Sequence, residues 1–423
     1  MTALFANEHD LTTDIDISSL KFWSQPFEVR EQAFAKLRKD HPVSWHAPME
    51  DLDHSPEDHG ERGYWAVVRA EDISYVSSHH ELFSSQLGFT SLHPLMSEFR
   101  APAAFLDMDP PQHTEYRRLI SAFFTPKAVT RLVDKIDLRA GQIVDDVVGA
   151  GSIDFVDRVS SRLPMLTVAD LLGIPESQME EFREHGDRLF ALQDPDAADT
   201  FEERMAISAS AFGFYAELGM ELIADRRRKP QEDLMSHLAN GTVDGKPLEE
   251  TDILMIMLLF STAGNDTTKQ TTSWTVKAFA ENPDQRDWLL QDFDGRIGGA
   301  IEEFVRYATP VMQFARTATQ DTELGGQRIL AGDKVGIFYC SGNRDERLFE
   351  APDRFDLSRE RNPHLAFGGG GVHYCLGNGV AKAQLRALFR NILTKLPNLE
   401  VGEPTPLVGD FINGIKHLPV NVG

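Results

Sequence analysis

The sequence predicts a mainly helical protein with a small β-rich region, on three observations. A helical pattern of roughly 32 residues occupies the middle of the chain, about 48 Å long at 1.5 Å per residue. A second long amphipathic pattern follows Cys375. Between such stretches lie short apolar runs of strand length, GYWAVV and KVGIFY among them.

At 423 residues, length alone suggests about three domains. No Pro/Ser/Gly linker, low-complexity run or internal repeat divides the chain, so a single domain over 1–423 is expected. Hydrophobic residues make up 41% and charged residues 26%, which provides ample core. The net charge of −24 argues against nucleic acid and anionic membrane surfaces as partners. The N-terminus is acidic and lacks the pattern of a signal peptide, and the longest apolar run, residues 253–260, is far too short to span a membrane. A cytoplasmic protein is expected. Its two cysteines allow at most one disulfide, and Cys340, in VGIFYC, reads as a plain core thiol.

In LDMDPPQHTEYRRLISAFF, Asp109 is placed as N-cap, Pro110 in the first helical position and Gln112 as the capping-box partner. His113 and Arg117 then share a face, four residues apart, and could together hold a carboxylate. The central pattern opens at a Thr251 cap and ends before Pro283. Its first half is apolar on every side and is predicted to be buried. Its second half puts Gly264, Asn265, Asp266, Thr267 and further hydroxyl residues where leucine is expected. A local rule broken inside a buried element points to a site. A threonine bonded to the preceding turn can open a groove, and Asp266 beside Thr267 is an acid next to an alcohol, a pair able to relay protons.

In RIGGAIEEFVRYATPV, Arg306 can pair with Glu303 or with Glu302. Downstream, FEAPDRFD offers Arg354, so Glu303, Arg306 and Arg354 are expected to form a structural clamp. The stretch FGGGGVHYCLG then delivers one sulfur, Cys375, to the first turn of the last long helix. The helix dipole and free N–H groups there favour a thiolate, and the glycines leave room for a flat ligand. Leu385, Leu388, Phe389, Ile392, Leu393 and Leu396 mark that helix's buried face.

In this order, AGNDTT, EFVR, PDRF and the glycine loop ending in HYCLG resemble the cytochrome P450 family over nearly the whole chain. The resemblance implies the P450 fold, with haem b between the long central helix and the cysteine loop. It makes Cys375 the thiolate ligand of the iron. His113, Arg117, Arg316 and His373 match positions that hold the haem propionates, while Phe367, Gly371 and Gly377 match the cysteine loop. Asp266 and Thr267 match the catalytic acid and alcohol, and Glu303 and Arg306 the helical pair, with Arg354 as partner. One departure is visible: the family usually has seven steps from the phenylalanine to the cysteine, and Phe367 to Cys375 is eight. That longer loop resembles a bacterial subgroup that oxidises methyl-branched lipids, isoprenoids and sterol side chains.

No second cofactor motif is present, so electrons are expected from a ferredoxin and its reductase. Residues 376–399 carry Lys382, Arg386, Arg390 and Lys395 and no acid, and the first three, four residues apart, form a basic stripe which, with Arg118 and Lys127, suits an acidic partner. Residues 82–106 carry Phe83, Leu87, Phe89, Leu92, Leu95, Met96 and Phe99 in an irregular stretch suited to lining an apolar substrate site. Ala263, Val311, Met312, Phe314, Phe411 and Ile412 are further lining candidates, as are Phe190, Phe212 and Phe214. Arg100 alone stands among the lining segments as a cation. The expected activity is insertion of one atom of dioxygen into an unactivated C–H bond near the end of an apolar lipid. Sterol side-chain hydroxylation is the alternative; a haem-based sensor without turnover would need neither relay nor docking stripe.

Overall fold

The computed structural model describes residues 9–50, 63–87, 92, 104–189, 191, 194 and 196–423. It is mainly helical, with its strands gathered in small sheets. The central helix runs unbroken over Glu250–Glu281, 32 residues as the sequence predicts. It begins one residue before Thr251, without a side-chain cap, so Thr251 does not open it. The two halves exchange their expected roles. In the apolar half only Ile253, Ile256 and Met257 are fully buried, whereas Thr268, Gln270, Thr271, Thr272, Ser273 and Thr275 lie inside. Burial of that polar half is tolerated because Thr271, Thr272, Ser273 and Thr275 each donate to the carbonyl four residues back.

The two runs read as strands pair with each other, Tyr64–Val67 lying parallel to Lys334–Phe338 with Trp65 opposite Val335. The sheet is extended by Val43–His46 on one side, and by Gln313–Ala318 then Phe83–Ser84 on the other. Phe83 is thereby a fully buried strand residue and not part of a lining.

The last long helix spans Asn378–Lys395 and packs on Pro126–Asp145. All six residues assigned to its inner face are buried. Phe389 packs 4.8 Å from Phe304 and 5.8 Å from Phe279, so one aromatic knot ties this helix to the central helix and to the Phe293–Ala308 helix. Elements distant in sequence are thus held rigidly around one region. Among the described residues no helix is long and apolar enough to cross a membrane.

Candidate active site

Cys375 lies two residues ahead of the N-cap Gly377, so it precedes the helix and is not in its first turn. Its backbone N–H donates to Phe367 O at 2.8 Å, and Asn378 Nδ2 donates to Cys375 O at 2.8 Å. The eight-step spacing is absorbed between those ends by Gly368, Gly370 and Gly371, all at positive φ. Phe367 lies beneath Lys382, whose ammonium stands 5.1 Å from the ring centre. Two of the glycines also meet a packing need: a Cβ on Gly369 or Gly371 would run into Ser77 at the end of the Ala70–Ser78 helix. Close approach of that helix requires glycine there. Burial holds the Cys375 thiol above its ordinary pKa, and the Gly377 N–H, Arg117, the Asn378 N–H and Lys382 only partly offset it. The free thiol is therefore not preset as a thiolate, and a bound metal ion would have to draw off its proton.

Four donors converge beside the cysteine, and among the described residues none of them is hydrogen-bonded to a carboxylate. His113 is buried, with neither ring nitrogen bonded, and its ring lies 4.3 Å from that of His373. His373 Nε2 lies 3.1 Å from Ser85 Oγ. Arg316, on the strand Gln313–Ala318, is buried and, among the described residues, donates only to its neighbour Ala315 O, at 2.7 Å. Arg117 donates to Tyr374 O at 2.5 Å. Burial, then the nearby Arg117, pushes His113 down to about 4; burial, then Arg316, His113 and Arg117, pushes His373 down to about 2. Such crowding is costly unless an anion joins it, and two carboxylates on one ligand meet that need. With a single thiol at hand, the donor set fits haem.

Asp109 does not cap the helix, which starts at Gln112 with no side-chain cap. Its carboxylate instead receives Ser84 Oγ and the Ser85 N–H, and so fixes the turn that brings Ser85 to His373. A chain of rings leads from His113 through Phe105, at 6.1 Å, to Phe260 of the central helix, a further 6.5 Å on.

On the central helix Thr267 Oγ1 donates to Ala263 O at 2.9 Å, the back-bond the sequence suggests. Ala263 is exposed one turn away, in mid-helix. Gly264 is there for packing, since a Cβ would meet Val168 of the Arg162–Leu172 helix. The expected acid and alcohol do not bond to each other. Asp266 pairs with Lys269, three residues on, and Lys269 Nζ also lies 3.8 Å from Asp187. Arg183 bonds Asp187 at 3.2 Å and Glu180 at 2.9 Å, completing a ladder of alternating charge. Burial pulls the Lys269 pKa down, but Asp266 and Asp187 more than offset it, so it stays charged. Sequence reasoning missed Lys269, although its three-residue spacing from Asp266 was visible.

The clamp forms around Glu303. Its carboxylate receives Arg306 Nε at 2.7 Å and Nη2 at 2.8 Å, both residues fully buried. Its second cation is Arg359 at 3.2 Å, not Arg354. Arg354 gives only its carbonyl to Arg306; its guanidinium is mostly exposed and pairs with Asp356. Sequence alone could not choose between two arginines of one loop. Glu302 takes Lys382 at 2.6 Å and His364 at 3.0 Å.

Of the apolar candidates, Val311 bridges to Ile412, and Phe314 lies 5.4 Å from Phe411, so these four form one wall. Trp274 Nε1 and Gln270 Oε1 on the central helix bond residues 413 and 415 at 2.9 and 2.8 Å, fixing that wall against the helix. Met312 leaves it: its neighbours along the extended chain face one way and its own side chain faces the other, into the core with Trp23 and Phe338. Leu92 packs in that same core, against Gly336. Leu87 and Phe212 are exposed, and Phe214 stacks on His185. Phe89, Leu95, Met96, Phe99, Arg100 and Phe190 lie outside the described residues.

A long helix bearing an acid and an alcohol, together with a lone cysteine beside a cluster of two histidines and two arginines, fits a haem–thiolate oxygenase. Residues 189–400 match the family model described as Cytochrome P450. The chain is 38% identical, over 96% of its length and 94% of theirs, to the methyl-branched lipid omega-hydroxylases of Mycobacterium bovis and Mycobacterium tuberculosis. It is 36% identical, over 92% of its length and 90% of that protein, to the steroid C26-monooxygenase of Mycolicibacterium smegmatis. Mycobacterium marinum cytochrome P450 CYP268A2, solved in complex with pseudoionone, superposes with a TM-score of 0.93 at 44% identity, covering 98% of this chain and all of that one. The chain belongs to the cytochrome P450 family and is a haem-dependent monooxygenase.

Proposed function

We propose that this protein hydroxylates a methyl-branched apolar lipid or isoprenoid near a chain end, using dioxygen and electrons from a ferredoxin. The observation that carries the reading is the apolar wall of Val311, Phe314, Phe411 and Ile412, in a chain 38% identical to two methyl-branched lipid omega-hydroxylases. The wall contains no cation or acid, so it favours a hydrocarbon over a charged group.

Bound haem supplies dioxygen activation at its iron. Cys375 would ligate the iron, and His113, Arg117, Arg316 and His373 would hold the carboxylates. Thr267 and Asp266 serve as alcohol and acid of a proton relay. Because Thr267 Oγ1 gives its own proton to Ala263 O, it is oriented to accept one from the solvent side. Asp266 reaches the relay when it leaves Lys269. Electrons enter beside Cys375, where Tyr374, Arg386, Lys127 and Arg118 are exposed.

Likeness to the steroid C26-monooxygenase supports a second reading, sterol side-chain hydroxylation. Visible spectra of the holoprotein, titrated with a methyl-branched fatty acid, pseudoionone and a cholestane-type sterol, decide between them. A low-spin to high-spin change with one class, and ferredoxin-dependent hydroxylation of it, names the substrate. No change with any of the three removes the lipid assignment. Failure of reductase-dependent oxygen consumption would favour a binding protein.

A further inference from the structure

Away from the haem site, a small cavity lies between the Phe27–Asp40 helix and the end of the Phe293–Ala308 helix. Trp23, Arg30, Tyr307, Met312, Cys340 and Arg344 are among its lining residues. Its volume of about 20 Å³ is enough to seat a water molecule or a halide ion.

The charges around it do not balance. Arg30, half-buried, forms no ion pair among the described residues: Nη1 lies 3.6 Å from the thioether of Met312, the guanidinium stands 5.7 Å from the centre of the Trp23 ring, and Nε is buried with no acceptor. Arg344 is buried, and its two Nη groups donate to the carbonyls of Arg306 at 3.3 Å and Tyr307 at 2.9 Å. Its Nε also lacks a hydrogen-bond acceptor, the closest charge being Asp353, 3.6 Å away and mostly exposed. The one buried acid of the lining, Glu31, is committed to Arg38. The Cys340 thiol cannot serve as counter-charge, since burial pushes it up to about 12. The opposite wall is held in place: Thr309 sits at φ +38, anchored by its hydroxyl to Arg306 O at 2.6 Å and by Asn343 Nδ2 at 2.8 Å. A β-branched residue held in the left-handed region marks a wall that the surrounding bonds enforce.

We propose that this cavity is a binding site for a monovalent halide, chloride in the cell, neutralising Arg30 and Arg344. Among the described residues no hydrogen-bond acceptor takes either buried Nε–H donor, and a buried donor left unpaired is costly. The ion would fasten the N-terminal helix to residues 307–312, the back of the substrate wall.

The holoprotein is unfolded thermally at constant ionic strength while chloride replaces gluconate. The midpoint is expected to rise by about 2 °C between 1 and 100 mM chloride, because an ion bound only by the folded state stabilises it. Arg30→Met, which removes the charge at similar size, should be insensitive to chloride and at least as stable as wild type in gluconate. In wild type, ³⁵Cl⁻ resonance should show excess broadening that bromide removes, a readout that stands even if the variant does not fold. A midpoint and linewidth indifferent to chloride would mean that water fills the cavity, and would overturn the proposal. Equal chloride dependence in Arg30→Met would overturn it too.

Discussion

The two carboxylate centres flanking the site are built on opposite plans. Glu303 is buried and receives five hydrogen bonds, from Arg306 twice, Asp356 N, Arg359 and Asn362. Asp266 has one ionic partner, Lys269, on a face where the neighbouring Asn265 Oδ1 is left unbonded. A saturated carboxylate has nothing left to exchange and acts as a joint. One held by a single flexible ammonium can let go, which proton transfer requires.

Glu303→Gln breaks the first plan hardest. It leaves Arg306 and Arg359 short of charge in a buried site and is expected to cost about 3–5 kcal/mol, read by denaturant unfolding. Arg354→Ala, at the exposed position, should stay within about 0.5 kcal/mol. The haem-free protein should weaken as pH falls from about 6.5 to about 4, since His113 is neutral when folded and takes up a proton on unfolding. That contribution is up to about 3 kcal/mol and should vanish in His113→Gln. Haem loading should flatten the same pH dependence.

Thr267→Ala tests the second plan: cofactor consumption should continue while product per electron drops by about thirtyfold, within the range of general acid–base effects, with hydrogen peroxide taking the difference. An unchanged yield would take Thr267 out of the relay. Lys269→Met releases Asp266 from its partner and should change coupling by about tenfold or less, with a shift in its pH dependence that Lys269→Arg restores. Charge reversal at Arg386 should weaken ferredoxin by only a few-fold at low salt, as expected for an exposed cation. Lys382, Arg390, Lys395 and Arg118 already have acidic partners at Glu302, Asp294, Asp145 and Glu115, which narrows the docking patch to fewer charges than the stripe promised.

This contrast also explains what could be read from the chain. Cys375, His113, Glu303 and Asp266 stand in local patterns whose spacing carries their chemistry, His373 was legible only through the family resemblance, and the inner face of the last helix follows from periodicity alone. Arg359, Ser85 and Asp109 acquire their partners only through tertiary approach, so Arg354 looked like the clamp and Asp109 like a cap. Met312 and Leu92 were misplaced because apolar character does not say which side of a wall a residue faces. Hydroxyl residues suggested an open groove along the polar half of the central helix, yet their back-bonds satisfy them within the core.

The contact between Ser85 and His373 joins residues 288 apart, and the strand at Tyr64–Val67 finds its parallel neighbour only at Lys334–Phe338. The cysteine loop is therefore registered against the earliest part of the chain by some of its latest residues. A ribosome must synthesise both segments, 288 positions apart, before the cradle can close, so cofactor capture waits on the cysteine loop.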